Sequence, residues 1–250
     1  MDNSVVKRIT LLGVPIDLVQ REAMPKVVLS LLVNEQSNKI VFLNLPKLLA
    51  ARGNAEFKTQ LNEAALVLPV SKSLTHGIKL LYNFKAERYL PYDYIITLLT
   101  LLEQKRKSVY LLGGSSKVLQ KADKNLRSSY PHLLFVGRYK GYFKKQELGL
   151  ITEAIRKASP TLLITARGLK GKEQFIFQQQ HSFKPGICLY LPDFFDVVAG
   201  KKAKPNREAF HKGSDWLGKL IKNPLRVMYI FILLRYQLLL VYYRLAKKEG

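Results

Sequence analysis

The sequence predicts an α/β fold: a Rossmann-like, mostly parallel sheet with helices on both faces, followed by a helical, basic C-terminal appendage. Three observations carry this. Short apolar runs recur along residues 8–193, helix-like segments alternate with them, and strand signals stop after "AGKKAKPNREAF" (199–210). Near-continuous apolar runs of about four to eight residues fit strands covered on both faces. Their alternation with helices fits βαβ units.

Taken in order, strands are expected at "RITLLGV" (8–14), "KIVFLNL" (39–45), "ALVLPV" (65–70), "SVYLLGG" (108–114), "LLFVGRY" (133–139), "TLLITARG" (161–168) and "GICLYLPD" (186–193). "REAMPKVVLSLLVNE" (21–35) reads as a helix with Pro25 in its first turn, where a missing N–H costs nothing. "YDYIITLLTLLEQKRK" (92–107) places its basic residues at the C-terminal end, complementing the helix dipole. "SSKVLQKADKNLRSSY" (115–130) opens on a Ser cap. The tail holds "VMYIFILLRYQLLLVYY" (227–243), 17 residues interrupted by Arg235 and Gln237. A spanning helix needs about 20 apolar residues, so an interfacial helix with a basic rim is preferred. A terminal helix packed on the domain core is the plain alternative.

The charge is lopsided: 41 Lys+Arg against 18 Asp+Glu, a net +23 over 250 residues. Residues 201–250 alone carry twelve Lys/Arg against three Asp/Glu. Such a balance favours a polyanionic partner: nucleic acid, an anionic membrane surface or a phosphorylated substrate. Nucleic acid is the least favoured, because nothing resembles a recognition helix or an RNP motif. Cys188 is the only cysteine, which excludes a disulfide within the chain and a Cys-based zinc site. The opening "MDNSVVKRITLLGV" does not read as a signal peptide, so a cytoplasmic location is expected. The four histidines (His76, His132, His181, His211) lack ligand spacing, and no metal is expected.

Several loops could carry chemistry. Gly113 and Gly114 stand between a strand and a helix start, where backbone can approach a phosphate; equally, they only close a tight turn. "SYPHLLFVGRYKGYF" (129–143) offers Gly137, Arg138, Lys140 and Tyr142 for a diphosphate and a base or sugar. "ARGLKGKEQFIF" (166–177) offers Gly168, Lys172 and Glu173, and "LPDFFDVVAG" (191–200) offers Asp193 and Asp196. These loops follow strand C-termini, so they should share one sheet edge, where open α/β folds bind ligands.

Several motifs match a known family in order. "GVPID" stands at 13–17, "LLGG" at 111–114, then Tyr130-Pro131, Val136-Gly137 and Gly141-Tyr142-Phe143. Phe195-Asp196, Ala199-Gly200, Asp215-Trp216-Leu217, Pro224 and Arg226 follow. On these residues the chain resembles the WecG/TagA/CpsF glycosyltransferases (glycosyltransferase family 26) over nearly its full length. The resemblance implies a metal-independent, inverting transfer of a hexosamine-type sugar from a UDP-sugar, with no cofactor. It implies a polyprenyl-diphosphate-linked glycan acceptor at the inner face of the plasma membrane. It also implies a C-terminal appendage that docks on the membrane.

Carried over by motif, the family's site falls on Asn44, Arg88 and Asp196 as catalytic positions. Gly113, Gly114, Gly137, Tyr142, Gly168, Lys172, Glu173, Lys219 and Arg226 fall on substrate-binding positions. Glu87, Arg88 and Asp93 keep the "ER…D" stretch. Other positions depart: Phe42 replaces a threonine, Lys172 a glutamine, Lys219 and Tyr229 arginines. Most consequential, the motif that supplies the proposed base reads Pro69-Val70-Ser71, and valine cannot accept a proton. The expectation is therefore double: a glycosyltransferase-like protein of cell-surface polysaccharide synthesis, or an inactive homologue that binds the lipid diphosphate or a partner enzyme. Residues 1–205 are expected to form the α/β domain and 206–250 the membrane-associating appendage; self-association is left open.

Overall fold

The computed structural model describes residues 5–33, 36–179, 186–214 and 228–246. Six strands form one parallel sheet in the order β4-β3-β8-β7-β5-β6. They are β3 (Asn38–Leu43), β4 (Leu66–Pro69), β5 (Ser108–Leu112), β6 (Leu134–Tyr139), β7 (Leu162–Thr165) and β8 (Ile187–Tyr190). β3, β4, β7 and β8 are buried at every position, which explains their unbroken apolar runs. β6 lies at the sheet edge and alternates exposed with half-buried residues.

One core face is covered by α1 (Met24–Val33), α5 (Pro91–Gln104), α6 (Ser116–Ser129) and the short α9 (Phe194–Val198). The other is covered by α2 (Leu45–Gly53), α3 (Ala55–Glu63), α4 (Lys72–Tyr82), α7 (Leu148–Ala158) and α8 (Gln174–Gln178). Neighbouring strands β3 and β8 send their following helices, α2 and α9, to opposite faces. Such divergence marks where an α/β sheet offers a ligand crevice at its C-terminal edge. Local signals explain the helix starts: Asn44 caps α2 through Lys47 N (3.0 Å), and Asn54 caps α3 through Phe57 N (2.8 Å).

The first expected strand is corrected. Residues 8–14 do not enter the sheet; β1 (Val6–Leu11) pairs antiparallel with β2 (Val14–Val19) in a separate hairpin. Leu12 and Gly13 both adopt positive φ (50° and 82°), the geometry of a tight two-residue hairpin turn. The hairpin is tied to β4 by Asp17, which accepts from Arg8 Nε (2.8 Å) and Nη2 (2.7 Å) and from Val67 N (2.7 Å). "GVPID" is thus a structural clamp, with Asp17 only 1% exposed and its charge matched by a bidentate guanidinium.

α10 (Arg207–Lys212) and α11 (Met228–Ala246) complete the described elements. α11 packs one face on α4 and α2: Tyr236 and Leu240 are fully buried, and Tyr236 Oη donates to Ser73 O (3.0 Å). Gly77 of α4 makes this crossing possible, since a β-carbon there would overlap the Tyr236 hydroxyl. Gly77→Leu is expected to lift α11 from α4 at a cost of roughly 1–3 kcal/mol, read as faster protease removal of the helix. The core-packed reading of the tail holds for this inner face. The outer face exposes Phe231, Leu234, Leu238, Val241 and Leu245, spaced three and four residues apart, a single apolar stripe.

Candidate active site

Because all six sheet strands are parallel, the expected loops do leave from one edge. There the β5, β6 and β7 loops are stitched together by backbone. Gly113 N donates to Tyr139 O (2.9 Å), Gly114 N to Arg167 O (2.6 Å), Gly141 N to Gly114 O (2.8 Å) and Tyr142 N to Gly168 O (2.7 Å). Gly113 has φ 120°, and a β-carbon would meet the Ala166 backbone at 2.9 Å, so only glycine fits. Its amide and that of Gly114 are therefore spent on the protein's own carbonyls. Gly137 lies under the Tyr110 ring and Gly168 under the Tyr142 ring. Tyr142 itself is 70% exposed at this edge, an open aromatic face. Arg138 is tied to the buried Asp123 of α6 together with Arg127.

Asn44 and Val70 stand at the ends of neighbouring strands β3 and β4, and Val70 N donates to Leu43 O (2.9 Å). The Asn44 carboxamide oxygen is engaged as the α2 cap. The Val70 side chain packs against the first core face. Arg88 holds this corner: Nε and Nη2 donate to Val70 O (3.3 and 3.1 Å), and Nη1 donates to Phe210 O (2.7 Å). Its guanidinium also stacks 4.0 Å from the Phe210 ring centre. Arg88 thus joins the β4 end to α10. Glu87 pairs with Arg21 (3.5 Å) and Asp93 with Arg207 (2.9 Å).

Asp193 is half exposed and pairs with Arg167 and Lys202 (2.8 Å for the latter); its side chain makes no cap hydrogen bond to α9. Asp196 is mostly buried, with Lys201 at 3.7 Å. Lys172 adopts positive φ (53°) in the β7–α8 loop and is exposed. Lys219 and Arg226 lie outside the described residues, as do Asp215-Trp216-Leu217 and Pro224.

Glu173 is 5% exposed and pairs with Lys47 Nζ at 2.6 Å. Lys47 also donates to Phe42 O (2.9 Å). The other carboxylate oxygen of Glu173 is buried without a partner. Burial pushes this carboxyl above the ordinary carboxylate range, and the Lys47 ammonium partly opposes that. Sequence reasoning missed Lys47; its only local signal is a cation in the first turn after the Asn44 cap.

A cavity of about 310 Å³ lies between the β4–α4 turn and α11. Ser71, Lys72, His76, Arg88 and Gln237 line it with no carboxylate, and the Ser71 hydroxyl is buried without a partner. The volume is at the small end for ligand sites, about 300–1,000 Å³. Among the described residues, no group of three His, Cys, Asp or Glu side chains is placed to hold a metal ion.

The model of the "Glycosyl transferase WecG/TagA/CpsF family" matches residues 9–250. An "N-acetylglucosaminyldiphosphoundecaprenol N-acetyl-beta-D-mannosaminyltransferase" of Bacillus subtilis is 26% identical over 177 residues, 71% of this chain and 68% of that protein. A protein of the same name from Bacillus spizizenii is 27% identical over 178 residues, 70% of this chain and 68% of that protein. A match that begins in the β1–β2 hairpin and runs through the whole sheet into the tail establishes that the chain belongs to the WecG/TagA/CpsF glycosyl transferase family.

Proposed function

We propose that this protein transfers a hexosamine-type sugar from a UDP-sugar to a polyprenyl-diphosphate-linked acceptor in cell-surface polysaccharide synthesis. What supports the reading is membership of this family together with the single sheet edge from which the strand loops leave; Asn44, Arg88 and Asp196 are the positions proposed to act there. The relatives' name, with an acceptor of N-acetylglucosamine on undecaprenyl diphosphate, supports the acceptor class. Under this reading Tyr142 stacks on the donor, Arg88 holds the β4 corner against developing charge, and positioning contributes much of the rate. The proton acceptor is not at position 70. The imidazole of His76, which lines the adjacent cavity, is the proposed proton acceptor. Purified full-length protein, UDP-N-acetylmannosamine and related UDP-sugars, and a polyprenyl-diphosphate-linked N-acetylglucosamine in vesicles should yield a disaccharide lipid by mass spectrometry. No product from any donor would overturn this reading.

Val70 itself favours a second reading: its aliphatic packing at the base position fits a catalytically silent homologue that retains the lipid diphosphate. Such a protein binds the acceptor without turnover.

Residues 206–250 act in both readings as a membrane-associating appendage at the cytoplasmic face of the plasma membrane. By length and composition Tyr229–Ala246 suffices to cross a bilayer. Its inner face is already seated on α4, which favours lying along an anionic surface on the outer stripe, with Arg235 and Arg244 exposed beside it. The double change Leu234→Glu, Leu238→Glu is expected to abolish sedimentation with anionic vesicles while leaving the melting temperature within a few degrees. Undiminished sedimentation would refute this docking mode.

A further inference from the structure

A groove of about 660 Å³ opens between α1 and α5. Both helices lead into strands of the parallel sheet, α1 into β3 and α5 into β5, so both run from its C-terminal edge toward its N-terminal edge. Tyr89 N donates to Pro69 O (3.0 Å), fixing the start of α5 at the β4 end. The groove therefore has a direction. Its mouth is at the ligand-binding edge, and its length runs away from it.

The two ends differ in chemistry. Met24, Val28, Leu98 and Leu101 give an apolar wall along the helices. Arg21, Arg88 and Arg207 gather at the mouth with one lining carboxylate, Asp93. Arg207 engages Asp93, and Arg21 engages Glu87 beside it, so the mouth keeps a positive excess. Tyr94, in the first turn of α5, also lines the groove; it is 7% exposed and its hydroxyl has no partner. Burial raises its pKa, so it remains a hydrogen-bond donor. Well-packed helix pairs interdigitate their side chains and leave no such channel.

We propose that this groove holds the hydrocarbon chain of an isoprenoid diphosphate, with the diphosphate at the Arg21–Arg88–Arg207 mouth. The lipid-linked acceptor then reaches the sheet edge from the α1–α5 side, and the cavity under α11 is left for the reacting sugar. This placement rests on the reading of the protein as one that takes a lipid-diphosphate acceptor. Charge and shape favour this occupant over a neutral lipid: the apolar wall takes a linear chain, and the arginines take a dianion directly joined to it.

The test is calorimetric titration of the full chain with farnesyl diphosphate, inorganic diphosphate and farnesol. Farnesyl diphosphate is expected to bind at least ten-fold more tightly than inorganic diphosphate. Leu101→Glu, and independently Thr97→Trp at an exposed groove position, should erase that gain and leave inorganic diphosphate binding unchanged. Arg207→Ala should weaken both anions and leave farnesol unaffected. Wild-type affinity for farnesyl diphosphate in both groove variants overturns the proposal. Loss of affinity only in the Leu234→Glu, Leu238→Glu variant also overturns it, because the chain then sits on α11. Binding of UDP-sugar is measured in parallel: its absence counts against the transferase reading while groove binding stands, and the converse separates the two.

Discussion

Val70→Asp is expected to raise the rate of sugar transfer by about 10²- to 10⁴-fold, the usual contribution of a positioned proton acceptor. Position 70 lies at a strand end, beside an arginine, although its side chain packs on apolar neighbours. It ends a strand of the parallel sheet, and its backbone is pinned on both sides by Leu43 O and the Arg88 guanidinium. Arg88 beside it would keep an introduced aspartate ionised. The wild-type protein is left with His76 across the neighbouring cavity. His76→Gln should therefore depress wild-type turnover ten-fold or more and have little effect once Asp occupies position 70. Single-turnover transfer from a radiolabelled UDP-sugar reads both. An unchanged rate in Val70→Asp, with the fold intact by thermal melting, would show that this corner is not where the acceptor is deprotonated.

Lys47→Met is expected to destabilise the protein by about 3–5 kcal/mol at neutral pH, because it leaves the Glu173 carboxylate buried and unpaired. The pH dependence has a definite sign. A carboxyl whose pKa is raised by folding binds its proton more tightly folded than unfolded. Its ionisation therefore costs stability as pH rises from the ordinary glutamate range through the raised folded value. The deficit of Lys47→Met should shrink as pH falls from neutral toward that range, where Glu173 becomes neutral. Adding Glu173→Gln to Lys47→Met should recover much of the loss at neutral pH and flatten the pH dependence. Urea denaturation at several pH values measures all of this. A pH-independent deficit would mean that Lys47 contributes through its hydrogen bond to Phe42 O rather than through the carboxylate.

The sheet was legible because four of its strands are buried on both faces and so spell unbroken apolar runs. The hairpin was less so. β2 is buried at all six positions, but Pro15 and Asp17 break its strand signal, since both residue types are depleted in strands. Only the partner strand and Arg8 explain why a carboxylate is tolerated there. Asn44, Arg88 and Asp196 were proposed as site positions from motifs, and a motif does not show what a residue touches. Arg88 reaches Phe210 across 122 residues of chain, and no local pattern encodes such a contact.

By itself, then, the sequence determined the layer architecture, the family motifs, an aliphatic residue at position 70 and the basic apolar tail. These depend on residue type and short-range periodicity, which the chain displays directly. The tertiary structure alone decided which glycine amides are consumed by neighbouring loops and that Lys47 neutralises Glu173. It also decided that α11 buries one face and bares the other, and that α1 and α5 part to leave a groove. Each of these is set by which distant segments meet, and packing chooses among partners that are equivalent in the one-dimensional chain.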